Sequence, residues 1–266
     1  MSDALHPSSI PFVKASACGN DFILIEGKLA PADMSEFTRR ICDRHAGVGA
    51  DGVEWLFPAP DAEIEARLIN ADGSKAEISG NGTRCVAASY CAKHSGEKVR
   101  VRTGAGVKTC TLKGRRKTEF EFEIAMGEPK LGNPQSLRLT GREVAGFAVS
   151  MGNPHYVVFV ERFGEAWKDE SAEIQRQPEF PDGVNVEYVL VRDTHTIEVK
   201  FFERGVGETR SSGTGSCAAA VAAVTTGRAK SPVRVQALGG IQTVRWEGEV
   251  FLAGAARLVC RGEFFI

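Results

Sequence analysis

Two tetrapeptides in this 266-residue chain have the composition of a reactive anion site: Ser79-Gly80-Asn81-Gly82 and Ser212-Gly213-Thr214-Gly215. Each runs into a stretch of small and apolar residues, TRCVAASYCAKH after the first and SCAAAVAAVTT after the second. At such a helix start, unpaired N–H groups and the helix dipole attract an anion. Glycine there lets the backbone approach a ligand closely. Two turns of this kind meeting across one cleft would hold a carboxylate, together with the extra charge that builds on it when the adjacent carbon loses its proton. The residues ahead of the glycines would then flank the ligand, one removing a proton and the other returning one to the opposite face. That arrangement suits inversion of a stereocentre. Either tetrapeptide alone is equally well an ordinary helix entry.

The elements that must position these turns are legible in part. The two small-residue stretches read as helices, Thr83 to His94 closed by Ser95-Gly96 and Ser216 to Thr226 closed by Gly227. Both are apolar nearly all round, as for helices buried on every side. Further helices are expected at Met34 to His45 and near Ser171 to Gln175. Alternation of apolar and charged residues marks strands at Glu63 to Leu68, Val99 to Arg102, Val107 to Leu112 and Glu119 to Ile124. Others are expected at Tyr156 to Val160, Thr196 to Phe202, Val233 to Ala237 and Arg257 to Phe265. Many short strands with glycine-bearing turns point to antiparallel sheets curled around the buried helices.

The two Ser-Gly-x-Gly motifs stand 212 − 79 = 133 residues apart, half the chain. One occurrence means little; the same tetrapeptide opening both buried helices points to duplication. The Gly- and Pro-rich stretch Gly127 to Gln135 fits a boundary. The expected halves are residues 1–126, joined by the last strand at about 257–266, and residues 127–256.

Composition narrows the class. With 42% apolar and 25% charged residues the chain can bury a sizeable core, and a net charge of −1 gives no electrostatic case for nucleic acid or an anionic membrane. No apolar run approaches a membrane span. The start, MSDALHPSSI, has no basic stretch followed by an apolar core, and a cytoplasmic location is expected. The seven cysteines (18, 42, 85, 91, 110, 217, 260) follow no metal or disulfide spacing and read as small buried residues; the five histidines are scattered. Gly213 to Ala218 fits G-x-G-x-x-A, but Gly205 to Ser211 separates it from the preceding strand and AKSPVRVQ stands where a ribose-binding acid belongs. No P-loop or HExxH pattern is present. Neither a cofactor nor a metal is expected.

Seven segments in order carry a resemblance that covers nearly the whole chain: Gly19-Asn20-Asp21-Phe22, Cys42 to Gly52 (CDRHAGVGADG), Asn70 to Ser74 (NADGS), Gly80 to Cys85 (GNGTRC), Met151 to His155 (MGNPH), Gly183 to Val186 (GVNV) and Phe202 to Thr209 (FERGVGET). In these it resembles the diaminopimelate epimerase family. The resemblance implies an α+β fold of two similar halves, each a curved antiparallel sheet around a central helix. It implies a cofactor-independent homodimer that inverts the α-carbon of LL-2,6-diaminopimelate to give the meso form, a step toward lysine. By motif, Asn20, Asn70, Asn153, Asn185, Glu203 and Arg204 hold the substrate. Gly80, Asn81, Gly213 and Thr214 present helix-terminal N–H groups to its carboxylate, and His155 sits at the site edge, tuning acid–base behaviour.

The chain departs from the family where it matters most. The family has cysteine ahead of each glycine turn; this chain has Ser79 and Ser212. A thiol titrates near about 8.5 and lower at a helix start, whereas a serine hydroxyl needs a separate base. Candidates are His155, Glu203 and Glu208. The expectation is retained binding with turnover lowered by several orders of magnitude. Alternatives are a double variant that binds without turnover, a non-catalytic amino-acid-binding homologue, and a racemase or isomerase for another amino acid. Position 52 is glycine where some relatives carry a glutamine ligand.

Overall fold

A computed structural model describes residues 9–266. His6 and the chain start, read above for a leader, lie outside the described residues. The chain divides into two compact units: the described residues up to Ile124 together with Ala255–Ile266, and the contiguous stretch Ala125–Gly254.

The first unit begins with β1 (Ser9–Ala17), β2 (Asn20–Glu26), α1 (Met34–Cys42), β3 (Gly52–Phe57), β4 (Ile64–Asn70) and the short β5 (Lys75–Ala76). It continues with α2 (Gly80–Lys93), β6 (Lys98–Thr103), β7 (Gly106–Arg116) and β8 (Glu119–Gly127), whose residues from Ala125 on belong to the second unit. The second runs through β9 (Lys130–Leu139), β10 (Arg142–Ser150), β11 (Pro154–Phe159), α3 (Trp167–Ile174), β12 (Asn185–Asp193) and β13 (Thr196–Glu203). Then come β14 (Gly207–Thr209), α4 (Gly213–Thr225), β15 (Val233–Ala237), β16 (Gly240–Glu247) and the long β17 (Glu249–Phe265). From Ala255 onward β17 belongs to the first unit, where it pairs antiparallel with β1.

Most of the described ladders are antiparallel, and among the described residues two parallel pairs stand in each unit. In the first unit these are β2 with β3 and β4 with β6; in the second they are β11 with β12 and β13 with β15. The internal repeat extends to register. Phe22 pairs with Gly52 in the first unit, and His155 pairs with Asn185 in the second, both shifted by the same 133 positions.

The packing repeats too. Val53 and Trp55 of β3 share a core with Phe37 and Ile41 of α1. Val186 and Tyr188 of β12 share one with Trp167 and Ile174 of α3. Full burial of one such large side chain contributes roughly 1.5–3 kcal/mol. The opposite faces of these strands meet the central helices. The run Cys217 to Ala223 of α4 is buried among Val157, Val189, Val199, Phe201, Val244 and Leu252. Its small side chains let the sheet close around it from several strands.

Three expectations need correction. Both central helices start three residues earlier than the apolar pattern indicates, at Gly80 and Gly213, because each glycine turn is itself the first helical turn, capped by the preceding serine. Most of the Gly127 to Gln135 stretch expected as a boundary is strand: the units divide just before it, between Ile124 and Ala125, β9 begins at Lys130, and Pro134 is accommodated opposite Phe147 beside a register shift. Among the cysteines, Cys260 is exposed on β17 and Cys18 is half-buried, while the other five are buried. Among the described residues, no helix is long and apolar enough to cross a membrane.

Candidate active site

In the first unit Ser79 has extended backbone and caps α2, its Oγ accepting from the Gly82 N–H at 3.1 Å. Its carbonyl accepts from the Thr83 N–H at 2.7 Å and from Thr83 Oγ1 at 2.8 Å. A side chain built on Gly80 would meet nothing within 4 Å, so the leading glycine opens onto free space. One built on Gly82 would collide with Glu54 Oε1 of β3, so a larger residue there must displace that carboxyl. The helix start is thus open on one side and backed by a carboxyl on the other.

Beside it, Asn81 Nδ2 donates to Asn20 Oδ1 at 2.7 Å, and Asn20 Nδ2 donates to Asp51 Oδ2 at 2.9 Å. Asp51 and Asp21 share Arg44, and Lys14 reaches Asp21 at 3.0 Å. Burial works to raise the Asp21 carboxyl, but hydrogen bonds from Arg44 and Lys14 outweigh it and leave it below the usual range. Asn81 Oδ1 also accepts from the fully buried Arg84. Asn70 closes β4 opposite Gly52, and its amide donates to Ser74 Oγ at 3.0 Å. A side chain on Gly52 would stand 2.7 Å from the Ile69 carbonyl oxygen, so the tight β3–β4 ladder explains the glycine there.

The second unit repeats the scheme. Ser212 caps α4, and its Oγ accepts from the Gly215 N–H at 3.2 Å. A side chain on Gly215 would stand 2.7 Å from Glu187 Oε1 and 3.0 Å from Ser212 Cβ. Asn153 Nδ2 donates to Thr214 Oγ1 at 3.3 Å, reproducing the Asn81–Asn20 contact 133 positions later. Behind Asn153 a buried chain continues: His155 Nε2 bonds Asn153 Oδ1 at 3.0 Å, and His155 Nδ1 bonds Glu187 Oε1 at 2.8 Å. Burial raises the Glu187 carboxyl against the opposing pull of His155.

Nearby, Asn185 Nδ2 donates to the Pro154 carbonyl at 3.0 Å, and Asn185 Oδ1 accepts from the Arg204 N–H at 3.0 Å. Arg204 Nη1 donates to the Asp182 carbonyl at 2.8 Å. Glu203 closes β13, close enough for its charge to act on Glu187.

The structure therefore gathers Asn20, Ser79, Gly80 and Asn81 in the first unit. In the second it gathers Asn153, His155, Asn185, Glu203, Arg204, Ser212, Gly213 and Thr214. His155 is 1% exposed, so it stands behind the turn and not at its edge, where the β11–β12 ladder buries it. Glu208 forms an ion pair with Lys168 of α3. Motif reading missed Glu54 and Glu187, although the 133-residue offset of the serines, applied to every position, aligns them. Among the described residues no group of three or more His, Cys, Asp or Glu is placed to hold a metal ion.

Comparison with known proteins agrees with this construction. A family model described as diaminopimelate epimerase matches residues 12–132 and 147–259. The diaminopimelate epimerase of Pelotomaculum thermopropionicum is 38% identical, the match covering 95% of this chain and 98% of that one. That of Nitrosospira multiformis is also 38% identical, over 96% and 98%. Among solved structures, a phenazine biosynthesis protein of the PhzF family from Bacillus anthracis shares the fold at a TM-score of 0.71 and 17% identity, covering 97% of this chain and 99% of that one. A hydroxyproline epimerase from Agrobacterium vitis shares it at 0.67 and 15%, over 97% and 91%. Two relatives matched over nearly their whole length and a family model spanning both units place the protein: the chain belongs to the diaminopimelate epimerase family.

Proposed function

We propose that this protein inverts the α-carbon of LL-2,6-diaminopimelate without a cofactor, with Ser79 and Ser212 as the proton-transfer groups. The observation that carries the reading is the twofold occurrence of a serine-capped Gly-x-Gly helix start, each backed by a glutamate and joined through its x residue to an asparagine. Inversion needs one proton-transfer group for each face of the carbon, and the duplication supplies two. The helix-terminal N–H groups at Gly80, Asn81, Gly213 and Thr214 receive the α-carboxylate and stabilise the charge that spreads into it as the Cα–H bond breaks. Arg204 takes the distal carboxylate and Glu203 an ammonium group. Asn20, Asn70, Asn153 and Asn185 fix the substrate's remaining polar atoms. As in the family reading, the working form is a homodimer in the cytoplasm, and sedimentation as a monomer at micromolar concentration would count against that.

Serine lowers the rate. General acid–base catalysis favours groups titrating near the working pH, and a hydroxyl lies far above it. The test is incubation with LL-diaminopimelate in deuterated water. The expected outcome is deuterium at Cα and appearance of the meso isomer, both accelerated about 10²- to 10⁴-fold by Ser79→Cys/Ser212→Cys. No exchange by either protein would refute the reading.

A further inference from the structure

A glutamate stands behind the serine turn in both halves. Glu54 pairs with Leu24 across the parallel β2–β3 ladder, and Glu187 pairs with Val157 across the parallel β11–β12 ladder. Each lies 25 residues ahead of its serine (79 − 54 and 212 − 187). Their strand neighbours Val53, Trp55, Val186 and Tyr188 face the outer helices, and the two carboxyls face the central ones. Glu54 is 3% exposed and Glu187 fully buried.

In each half, three groups meet at one glycine. The Gly82 N–H donates to Ser79 Oγ, and the same residue's missing side chain leaves the space that Glu54 Oε1 occupies. A Cβ there would also lie 3.2 Å from Ser79 Cβ. Gly215 stands in the same relation to Ser212 and Glu187. Burying a carboxyl without a strong partner is costly. Burial alone pushes Glu54 up to about 8, so the first unit holds a neutral acid at pH 7. In the second unit His155 Nδ1 bonds Glu187 Oε1; position 22, its equivalent in the first unit, is phenylalanine. A leucine would satisfy packing at either place, yet the carboxyl occurs at both.

We infer that Glu54 and Glu187 exchange protons with Ser79 and Ser212, so that a hydroxyl backed by a carboxyl performs the work of a thiol. This rests on the reading of the two serines as proton-transfer groups. The glutamates touch no substrate; they are positioning residues acting through the serine oxygens. On the face where Cα–H breaks, Oγ takes the proton as its own hydroxyl proton passes to the carboxylate behind it. The C–H electron pair stays on Cα and spreads into the bound carboxylate. On the other face the serine gives its hydroxyl proton to Cα, reforming the bond, and is reprotonated by the neutral glutamic acid behind it. One carboxyl gains a proton and the other loses one, with no oxidant or further reactant.

The test compares Glu54→Gln and Glu187→Gln in two backgrounds, the serine protein and Ser79→Cys/Ser212→Cys, reading Cα deuterium exchange of diaminopimelate. Each glutamine is expected to slow the serine protein about 10²-fold or more and the cysteine protein no more than about tenfold, since a thiolate needs no internal base. Turnover by the cysteine-background variants also shows that they fold. Equal losses in both backgrounds would mean a merely structural role and overturn the inference. Exchange by the cysteine protein but none by the serine protein would overturn it together with the role of the serines as proton-transfer groups, leaving only the substrate assignment. Exchange by neither would sink that reading itself.

Discussion

The two glycines of the first turn should respond in opposite ways to the same methyl group. At Gly80 the added Cβ meets nothing within 4 Å; at Gly82 it collides with the Glu54 carboxyl and lies 3.2 Å from Ser79 Cβ. Both positions are helical, so alanine brings a propensity gain of up to about 1 kcal/mol at either. At Gly82 that gain is set against overpacking of a closed site, about 1–3 kcal/mol. Gly82→Ala should therefore lose a net 1–2 kcal/mol or so, a fall of about 2–8 °C in Tm for a chain of this size. Gly80→Ala should be neutral or slightly stabilising. Activity should not follow stability: the Gly80 methyl stands where a carboxylate would approach the helix start, so Gly80→Ala should depress kcat/KM by about tenfold or more while melting normally. Differential scanning calorimetry gives the first quantity and isomer formation the second. In a double-mutant cycle with Glu54→Ala, the cost of Gly82→Ala should shrink by about 1 kcal/mol or more. Equal melting of the two alanine variants, or additivity in the cycle, would refute the placement of Glu54 behind Gly82.

Three further outcomes follow from the same geometry. Ser79→Ala and Ser212→Ala should each lose a helix cap, about 0.5–2 kcal/mol in urea unfolding, along with Cα exchange; unchanged stability would contradict the Gly82 and Gly215 hydrogen bonds. The folded Glu54 carboxyl keeps its proton to about pH 8, whereas in the unfolded chain it ionises near about 4.3, so rising pH across that interval favours unfolding. Glu54→Gln removes that loss, and its stability relative to the parent should climb between those values and level off above; a difference independent of pH would contradict the burial. Arg204→Lys keeps the charge but loses the planar fork. KM for diaminopimelate should rise about tenfold or more with kcat within a few-fold, and a fall in kcat alone would remove Arg204 from distal carboxylate binding.

What the sequence disclosed depended on which surfaces a segment faces. β8 has one face in the core and one outside, so EFEFEI alternates and reads as a strand. β3 and β12 are buried on both faces, between an outer and a central helix, and show no alternation. The same burial hid Glu54 and Glu187, because a lone acid in GVEWLF or NVEYVL looks like a residue turned to solvent. The serine turns were legible as helix starts, yet their glycines concealed that the helix had already begun. Glycine is a poor helix former, and only the cap geometry at Ser79 and Ser212 overrides that preference. His155 was singled out by its motif; its depth follows from the ladder with Asn185, which no local pattern encodes. β9 was missed because Gly, Asn and Pro imitate a connection, and pairing with β10 holds the segment extended.

The long strand β17 has a consequence for the order of folding. Ser9 reaches Glu263, 254 positions away, and the ladder from Ser9 to Ser16 is completed only by residues from Arg257 onward. The second unit is one unbroken stretch, whereas the first waits for a strand made after it. The half whose chain begins first thus cannot close its sheet until residues made after the whole of the other half are in place.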